Sequence, residues 1–463
     1  DIENAFKQLK PKRSISPDEI SAFFIKRLSR LLTPYLCKLF NKILLTGTLP
    51  TVWKTSFVFP LLKSAPKTKF ENYRPISNTS ALSKLFEILL KTKILAHFEE
   101  HNFFSSQQFG FLKNKSTVSQ LILAYSDFIE AIEQKHKIQL DAIFLDYAKA
   151  FDVVSHKFLI HKLEAYRVCP LILSCVKDFL SNRSFRVLYK NSLSRSFPCP
   201  SGVPQGSILG PLLFTIFIND LPEIPFSSPN SSIWLFADDV KITFKIPINS
   251  DPNTSLSVFR CAQSDLDSIS NWSKTWDLKL SQSKSSHFST GRHSFPFKID
   301  QKIINSVSKC NTVRDLGVNI SPPLNFSKHI DSICKKASFV SNRILRSITI
   351  PNIETYRKCF ISFVRPILEY ASLVWSPSLK SHIAKLEKIQ KHFTRIALYK
   401  IDFNTYVNLR YKHRLKLFEL ESLHQRRLII DLVECFKIVK GLHPNPDLKK
   451  LLTLNSNRSA SRS

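Results

Sequence analysis

Methionine is missing from this 463-residue chain, and glycine is scarce, with 8 in all. Average usage would put glycine near ~7% of residues, so this backbone does without it almost everywhere. With Asp1 at its start and no initiator, the chain is expected to be a piece of a longer product. Long apolar runs are missing too. The best of them, Ile208 to Ile218, contains Gly210 and Pro211 and falls short of the ~18 to 20 residues a membrane-spanning helix needs. The opening DIENAFKQLKPKR lacks the apolar core of a signal peptide, so the expected location is intracellular. Nine cysteines are scattered at positions 37, 169, 175, 199, 261, 310, 334, 359 and 435. With no CxxC pair and no Cys/His zinc spacing, they exclude a zinc module and fit reduced thiols.

What the chain does have is positive charge. Its 67 Lys+Arg against 36 Asp+Glu give +31, and 43% hydrophobic residues make it a globular protein rather than a disordered tail. Residues 331–463 hold 25 Lys/Arg and 10 Asp/Glu, or +15 in 133 residues, against +16 in the first 330. A long polyanion is the implied partner. Basicity alone does not separate nucleic acid from an anionic membrane surface, but no segment is suited to span a membrane.

Periodicity outlines the elements. From Asp18 to Leu45 helical spacing predicts a helical pair, interrupted around Thr33-Pro34 and closed by Gly47 and Pro50. TSFVFPLLK (55–63) predicts a strand ending in Lys63, KTKFENYRPIS (67–77) a polar loop, and residues 81–99 and 117–135 two helices. DAIFLDY (141–147) is a strand whose apolar run stops at Asp146, and KAFDVVSHKFLIHKLEAY (149–166) follows with helical period. Ile208 to Ile218 reads as a buried helix, and SIWLFADDVKITFKI (232–246) as a hairpin with two carboxylates at its tip. A helix over 253–276, a strand over 286–289 and a β segment over 312–320 follow. Beyond Phe326 the chain reads as helical, broken near Pro351, Pro366 and Pro377, and the final SNRSASRS reads as disordered.

Two clusters carry chemistry. In SGVPQGSILGPLLF (201–214), Gly202, Gly206 and Gly210 gather three of the chain's glycines into nine residues. Glycine marks a bent backbone or one that another group approaches closely. Asp238 and Asp239 sit side by side between apolar strands, where desolvation sharpens their repulsion. An isolated Asp-Asp pair is most often a solvated turn, but the flanking IWLF and VKITF alternate too poorly for a surface hairpin. A cation shared with Asp146 would relieve the repulsion. Hard carboxylate oxygens with room for phosphates and water suit Mg²⁺, and two such ions can stabilise the attacking and leaving oxygens of phosphoryl transfer.

These residues resemble a known family, the reverse transcriptases of non-LTR retrotransposons of the LINE-like, jockey/CR1 kind. The carriers are FADD (236–239), FLDYAKAFDVVSH (144–156), SGVPQGSILGPLLF (201–214), NYRPIS (72–77) and QFGF (108–111), in the family's order. RPILEYASLVWSP (365–377) and LEKIQKHFTRIA (386–397) extend the resemblance over nearly the whole chain. It implies an α+β right-hand polymerase with fingers, a ferredoxin-like palm and a helical thumb. The implied divisions are 1–140 for fingers and N-terminal helical extension, 141–325 for the palm with an inserted fingers segment, and 326–463 for the thumb and basic extension. The family's endonuclease domain, normally N-terminal to this region, is expected to be missing from it, as a fragment or a truncated element would equally explain.

Carried over position by position, the resemblance makes Asp146, Asp238 and Asp239 metal-binding and catalytic carboxylates for two Mg²⁺ ions, with Mn²⁺ as an alternative. Lys284, in LSQSKSS, matches a lysine viewed as a proton donor to pyrophosphate. Lys63 and Arg74 match residues that hold the triphosphate. Phe151 matches the bulky gate against a 2′-OH, with ordinary helix packing as its alternative. Gly202 to Gly206 match a turn beneath the template base and incoming nucleotide, with Gln205 reaching toward them and no room for a Cβ beside substrate. DLGV (315–318) matches the family's primer-grip region, with Asp315 where an aromatic residue is more usual; further departures are KSAPKT (63–68) without its glycine and SPDEI (16–20). The implied function is RNA-directed DNA synthesis from a primer 3′-OH, with an RNA template, a DNA primer or target and dNTPs as partners, no membrane, and a nuclear and cytoplasmic ribonucleoprotein as the setting. The basic helices KKASFVSNRILR, KHFTR and HQRRLIIDL would grip nucleic-acid phosphates. The alternative is a catalytically inactive or domesticated relic that binds RNA. A group II intron maturase shares the Ala-Asp-Asp core but leaves EYASLVWSP and LEKIQKHFTRIA unexplained.

Overall fold

The computed structural model describes residues 1–452 except positions 15, 64, 135–137, 229–230, 249–251, 292–294, 307–311, 403 and 405–407. The chain opens with helices α1 (Ile2–Gln8), α2 (Ala22–Arg27) and α3 (Ser29–Thr46). The Ser21 hydroxyl caps α2, and Gly47, at φ 66°, ends α3 in the left-handed conformation that glycine adopts without strain. The break in this helical pair falls at Leu28, not at the expected Thr33-Pro34. Pro34 lies inside α3, where it forfeits a single backbone bond, and the Thr33 hydroxyl bonds the Ser29 carbonyl beside it.

Strand β1 (Thr55–Leu62) then pairs antiparallel with β2 (Tyr73–Asn78), the second correction, because YRPIS was expected within a polar loop. β2 occupies the edge of its sheet, so Pro75 needs no ladder donor on its open side and three of the strand's side chains can face water. Helices α4 (Ala81–Glu100) and α5 (Thr117–Glu133) start at serine caps, Ser80 and a reciprocal Ser116/Ser119 box.

From β3 (Ile138–Leu145) the chain passes through α6 (Ala150–Val153), α7 (His156–Ala165) and α8 (Pro170–Leu180). Strands β4 (Arg183–Tyr189), β5 (Ser192–Leu193) and β6 (Phe197–Cys199) complete the first sheet, ordered β2-β1-β4-β5 with β6 also on β4. Next come α9 (Leu209–Phe217), β7 (Ser231–Phe236), β8 (Asp239–Pro247), α10 (Pro252–Thr275), β9 (Ser286–Ser289) and the short β10 (Lys298–Ile299), β11 (Lys302–Ile303) and β12 (Asn305–Ser306). The second sheet is ordered β12-β9-β3-β8-β7. Its four main strands, taken in chain order, lie 4-1-3-2 and all antiparallel to their neighbours, with helices in both crossovers. This is the ferredoxin-like βαββαβ arrangement expected of the palm.

Alternation along β3 explains its unbroken apolar run. Ile143 and Leu145 join one core, with β8's Val240, Ile242 and Phe244, while Leu140 and Ala142 join a second core with α5 and the C-terminal helices. A sheet covered on both faces needs apolar residues on both.

The remainder is a small hairpin, β13 (Val313–Asp315) and β14 (Val318–Ile320), followed by helices α11 (Ser327–Ser347), α12 (Ile353–Cys359), α13 (Arg365–Glu369), α14 (Ser372–Trp375), α15 (Lys380–Ile401), α16 (Tyr411–Leu417) and α17 (Leu423–Val439). The breaks at Pro351 and Pro377 are present. Pro366 makes none: the five residues Phe360–Val364 wind as a π-helical turn, which absorbs the missing donor and the bulk of the ring while the chain stays helical from Ile353 to Glu369. The basic face is also narrower than expected. In HQRRLIIDL, Arg426 is clamped by Glu369 at 2.5 and 3.1 Å and Arg427 is buried, so neither points at a ligand. SNRSASRS lies outside the described residues.

Candidate active site

Pairing between β3 and β8 ends at Leu145 opposite Val240, and one step further Asp146 falls opposite Asp239. Both carboxylates then leave the sheet on the same face as Phe144 and Lys241, by the two-residue period of a strand. β7 and β8 are joined by a two-residue turn, Ala237-Asp238, so the hairpin tip predicted from FADD is present and lies beside Asp146. The loop holding LSQSKSS wraps the Asp146 backbone: Ser281 N–H donates to the Asp146 carbonyl at 2.7 Å, and Asp146 N–H to the Ser285 hydroxyl at 3.4 Å. This wrapping brings Lys284 Nζ to 3.5 Å from Asp146 Oδ1.

Three acidic groups in one cleft repel one another. Burial first, then the Asp146 charge, pushes the Asp238 carboxyl above the ordinary carboxylate range, against its own backbone N–H, Arg74 and Lys63. Crowding by the cleft walls, followed by repulsion from Asp238, Asp146 and Asp315, pushes Asp239 up to about 6, against Lys63. The Asp239 side chain still opens to solvent at the cleft mouth. Lys63 and Arg74 are exposed at the open end of the β1–β2 pair, where Leu61 and Leu62 face Arg74 and Tyr73. Both charges are felt by Asp238, and that of Lys63 by Asp239 as well.

A cleft of about 380 Å³ is lined by Asp146, Asp239, Lys284, Arg314 and Asp315, among others. The donor set suits divalent cations: hard carboxylate oxygens, two of them held above their ordinary range by burial and then by repulsion from their neighbours, a penalty a cation would relieve, and an open side for phosphate and water. Among the described residues, no three His, Cys, Asp or Glu side chains, the three aspartates of this cleft included, are gathered closely enough as they stand to hold a metal ion together.

Phe151 is half-buried, its ring stacked on Phe214 at 4.4 Å and edge-on to Phe111 at 6.4 Å. Packing therefore fixes the ring while leaving part of it accessible. Gln205 donates its amide to Asp152 Oδ1 at 2.8 Å, and its carbonyl accepts the Ser77 N–H at 2.7 Å, tying the glycine loop to α6 and to β2. Contacts within the protein already require these glycines. A Cβ on Gly202, at φ 82°, would lie 2.6 Å from the Asp152 carbonyl oxygen, and one on Gly206, at φ 121°, 2.3 Å from the Ser77 carbonyl oxygen. Gly210 is pressed by the Ser207 hydroxyl and the Pro204 carbonyl in the same way. The close neighbour at all three is the protein itself.

Some residues at the site were not assigned a role by the sequence. Gln108 and Gly110, quoted in QFGF without a function, lie against the Ala237-Asp238 turn. Lys241, two residues past Asp239, forms a buried 2.5 Å ion pair with Asp315, the residue flagged as a departure in DLGV. The Tyr370 hydroxyl, from EYASLVW, donates to the Leu316 carbonyl at 2.8 Å and anchors the β13–β14 hairpin from the other side.

Residues 65–320 match the family described as reverse transcriptase (RNA-dependent DNA polymerase). The chain is 28% identical over 408 residues to the probable RNA-directed DNA polymerase from transposon BS of Drosophila melanogaster, covering 85% of this chain and 44% of that protein. It is 27% identical over 402 residues to the RNA-directed DNA polymerase from mobile element jockey of the same fly, covering 84% of this chain and 42% of that protein. The chain thus spans less than half the length of these curated relatives. Among solved structures, apo telomerase from Candida tropicalis, truncated from its C-terminal domain, overlaps 59% of this chain and 54% of its own at 11% identity and a TM-score of 0.38. With more than half of its length matched, and with the aspartates of FLDY and FADD meeting at one cleft, this chain belongs to the reverse transcriptase family, on the non-LTR retrotransposon side of it.

Proposed function

We propose that this chain copies RNA into DNA, extending a primer 3′-OH with dNTPs. The observation that supports it best is the register of β3 and β8, which sets Asp146 opposite Asp239 at one cleft, with the charge of Lys63 felt by Asp238 and Asp239 and that of Arg74 by Asp238. The proposed divisions are fingers over 1–140, palm over 141–325 and thumb over 326–463. Asp146, Asp238 and Asp239 would hold two divalent cations, Mg²⁺ with Mn²⁺ as substitute, which when bound stabilise the attacking and leaving oxygens of phosphoryl transfer.

The other roles fall to the chain's own residues. Lys63 and Arg74 neutralise the incoming triphosphate, the first as a point charge and the second as a fork. Lys284 already lies beside Asp146, within reach of the departing pyrophosphate for proton donation. Phe151, pinned on Phe214, presents a fixed ring edge to the sugar. Gln205 lies beside the nucleotide through a loop that three glycines allow to pack tightly.

A primer-extension assay on an RNA template with dNTPs and Mg²⁺ tests this reading. DNA synthesis is expected from the unaltered chain and loss of it in Asp238→Asn. Synthesis that survives that substitution refutes the site, and a chain that binds RNA without extending a primer supports the relic reading instead.

A further inference from the structure

Residues 107–110 run along the free edge of β7. Leu235 N–H donates to the Gln107 carbonyl at 3.0 Å and Phe109 N–H to the Leu235 carbonyl at 2.8 Å, a short parallel bridge beside the catalytic hairpin. The Gln108 side chain turns inward and is fully buried. Its Oε1 accepts two backbone N–H groups, that of Gly110 at 2.7 Å and that of Ala237 at 3.0 Å. Both neighbours are donors, so the amide oxygen and not the nitrogen must face them. The Nε2 group has no hydrogen-bond partner among the described residues, a cost the fold tolerates for the sake of the oxygen's two hydrogen bonds.

The turn that Gln108 holds is strained. Ala237 sits at φ 57°, in the left-handed region that a residue with a Cβ avoids at a cost of roughly 1 to 2 kcal/mol. Such a conformation persists only where its surroundings over-determine it. Gly110 completes the clamp: a Cβ there would lie 2.4 Å from the Ala237 nitrogen, so only glycine lets the segment come this close. Asp238 follows Ala237 directly, and the turn's backbone sets where its carboxylate points.

We propose that Gln108 is a positioning residue for nucleotidyl transfer, aiming the Asp238 carboxylate by holding Ala237 left-handed through one buried hydrogen bond. The inference rests on the polymerase reading above and names the support on which that site depends.

Gln108→Leu keeps the bulk and removes the acceptor. In single-nucleotide incorporation on an RNA template, kcat is expected to fall about 10²-fold, the size of a displaced catalytic group, while the KM for dNTP and the affinity for primer–template hold. Mn²⁺ binding to the protein alone, read by electron paramagnetic resonance, is expected to weaken severalfold in the same variant. A residue that only packs would lower the melting temperature and leave both readouts unmoved, and unchanged kcat with unchanged Mn²⁺ affinity overturns the proposal. Where Gln108→Leu does not fold, Gly110→Ala is to show the same kcat loss and Mn²⁺ weakening, and wild-type values there also overturn it. Should the unaltered chain fail to extend primers, the polymerase reading is what fails; the Mn²⁺ comparison still decides whether Gln108 aims the aspartate.

Discussion

Glu87 and Ile208, 121 positions apart, meet in the core: the fully buried carboxylate accepts the Ile208 N–H at 2.6 Å and that of Leu209 at 3.2 Å. These are donors at the start of α9, directly after the glycine loop, so a side chain of α4 caps the helix that follows Gln205 and Gly206. Hydrogen bonds to a charged partner are worth roughly 1.5 to 3 kcal/mol, and stranding two buried donors forfeits them. Glu87→Leu is therefore expected to lower the melting temperature by several degrees and raise the KM for dNTP as the loop shifts. Glu87→Gln, which keeps one acceptor, should fall between. A Glu87→Leu protein with wild-type melting and KM would show the cap to be idle.

Phe151 offers a second test. Its ring cannot swing away, because Phe214 stacks on one face and Phe111 abuts it. Phe151→Val removes the ring edge without disturbing Asp146, five residues earlier. Discrimination against ribonucleotides, measured as the ratio of kcat/KM for dNTP over rNTP, is expected to drop at least about tenfold, the scale on which pocket shape sorts substrates. A ratio that does not move would assign Phe151 to packing alone.

Lys162 carries a pH prediction. Its ammonium is buried on α7, 3.8 Å from the Trp276 ring, and bonds Asp220 at 2.5 Å and the Phe217 carbonyl at 2.6 Å. Burial, opposed by Asp220, pulls its pKa from 10.5 to about 8. The unfolded chain therefore holds this proton between pH 8 and 10.5 while the folded chain releases it, so this group's contribution to stability rises with pH across that window and is flat below it. Comparing melting of the unaltered chain with Lys162→Met from pH 7 to 10 isolates it: the difference should change only above pH 8.

The distance over which contacts act decides how much of this was legible in the sequence. The aspartate pair announced itself because β7 and β8 are adjacent in the chain and their apolar flanks bracket the turn. Asp146 could be read because the strand's apolar run stops there, and the ferredoxin-like order followed from the family resemblance. Glu87 gave no signal, since its partners lie 121 and 122 residues away and a lone glutamate in a helix looks like any solvated one. β2 was hidden by its edge position, where exposed Arg74, Pro75 and Ile76 mimic a loop. The glycine cluster was visible but its packing within the protein was not, because the Asp152 and Ser77 carbonyls approach from other elements. Pro366 misled for a local reason, a π turn that periodicity does not anticipate.

Tyr370 tests the hairpin anchor. Its hydroxyl reaches the Leu316 carbonyl and, at 3.1 Å, the Thr117 hydroxyl, so one group joins α13's end, the β13–β14 hairpin and α5. Tyr370→Phe removes only that oxygen and about 1 kcal/mol of hydrogen bonding. If the hairpin holds the primer end, dissociation of primer–template should quicken about fivefold by that energy, with single-nucleotide kcat preserved. Unchanged dissociation would leave the hairpin's position independent of Tyr370.

The C-terminal helices separate two kinds of positive charge. Lys335, Lys336 and Arg343 stand exposed on α11, whereas Arg426 is held by Glu369 and Arg427 is buried. Only the first set is free to displace counterions from a phosphate backbone. Affinity for an RNA–DNA primer–template should fall steeply between low and moderate salt, and replacing Lys335, Lys336 and Arg343 by glutamine should flatten the log–log slope by up to about 3, near one for each phosphate no longer neutralised. Arg426→Gln should leave that slope alone and lower the melting temperature instead, because it breaks the tie to Glu369. The opposite pattern, a slope that follows Arg426 and ignores the α11 set, would place the nucleic-acid path on a different face of these C-terminal helices.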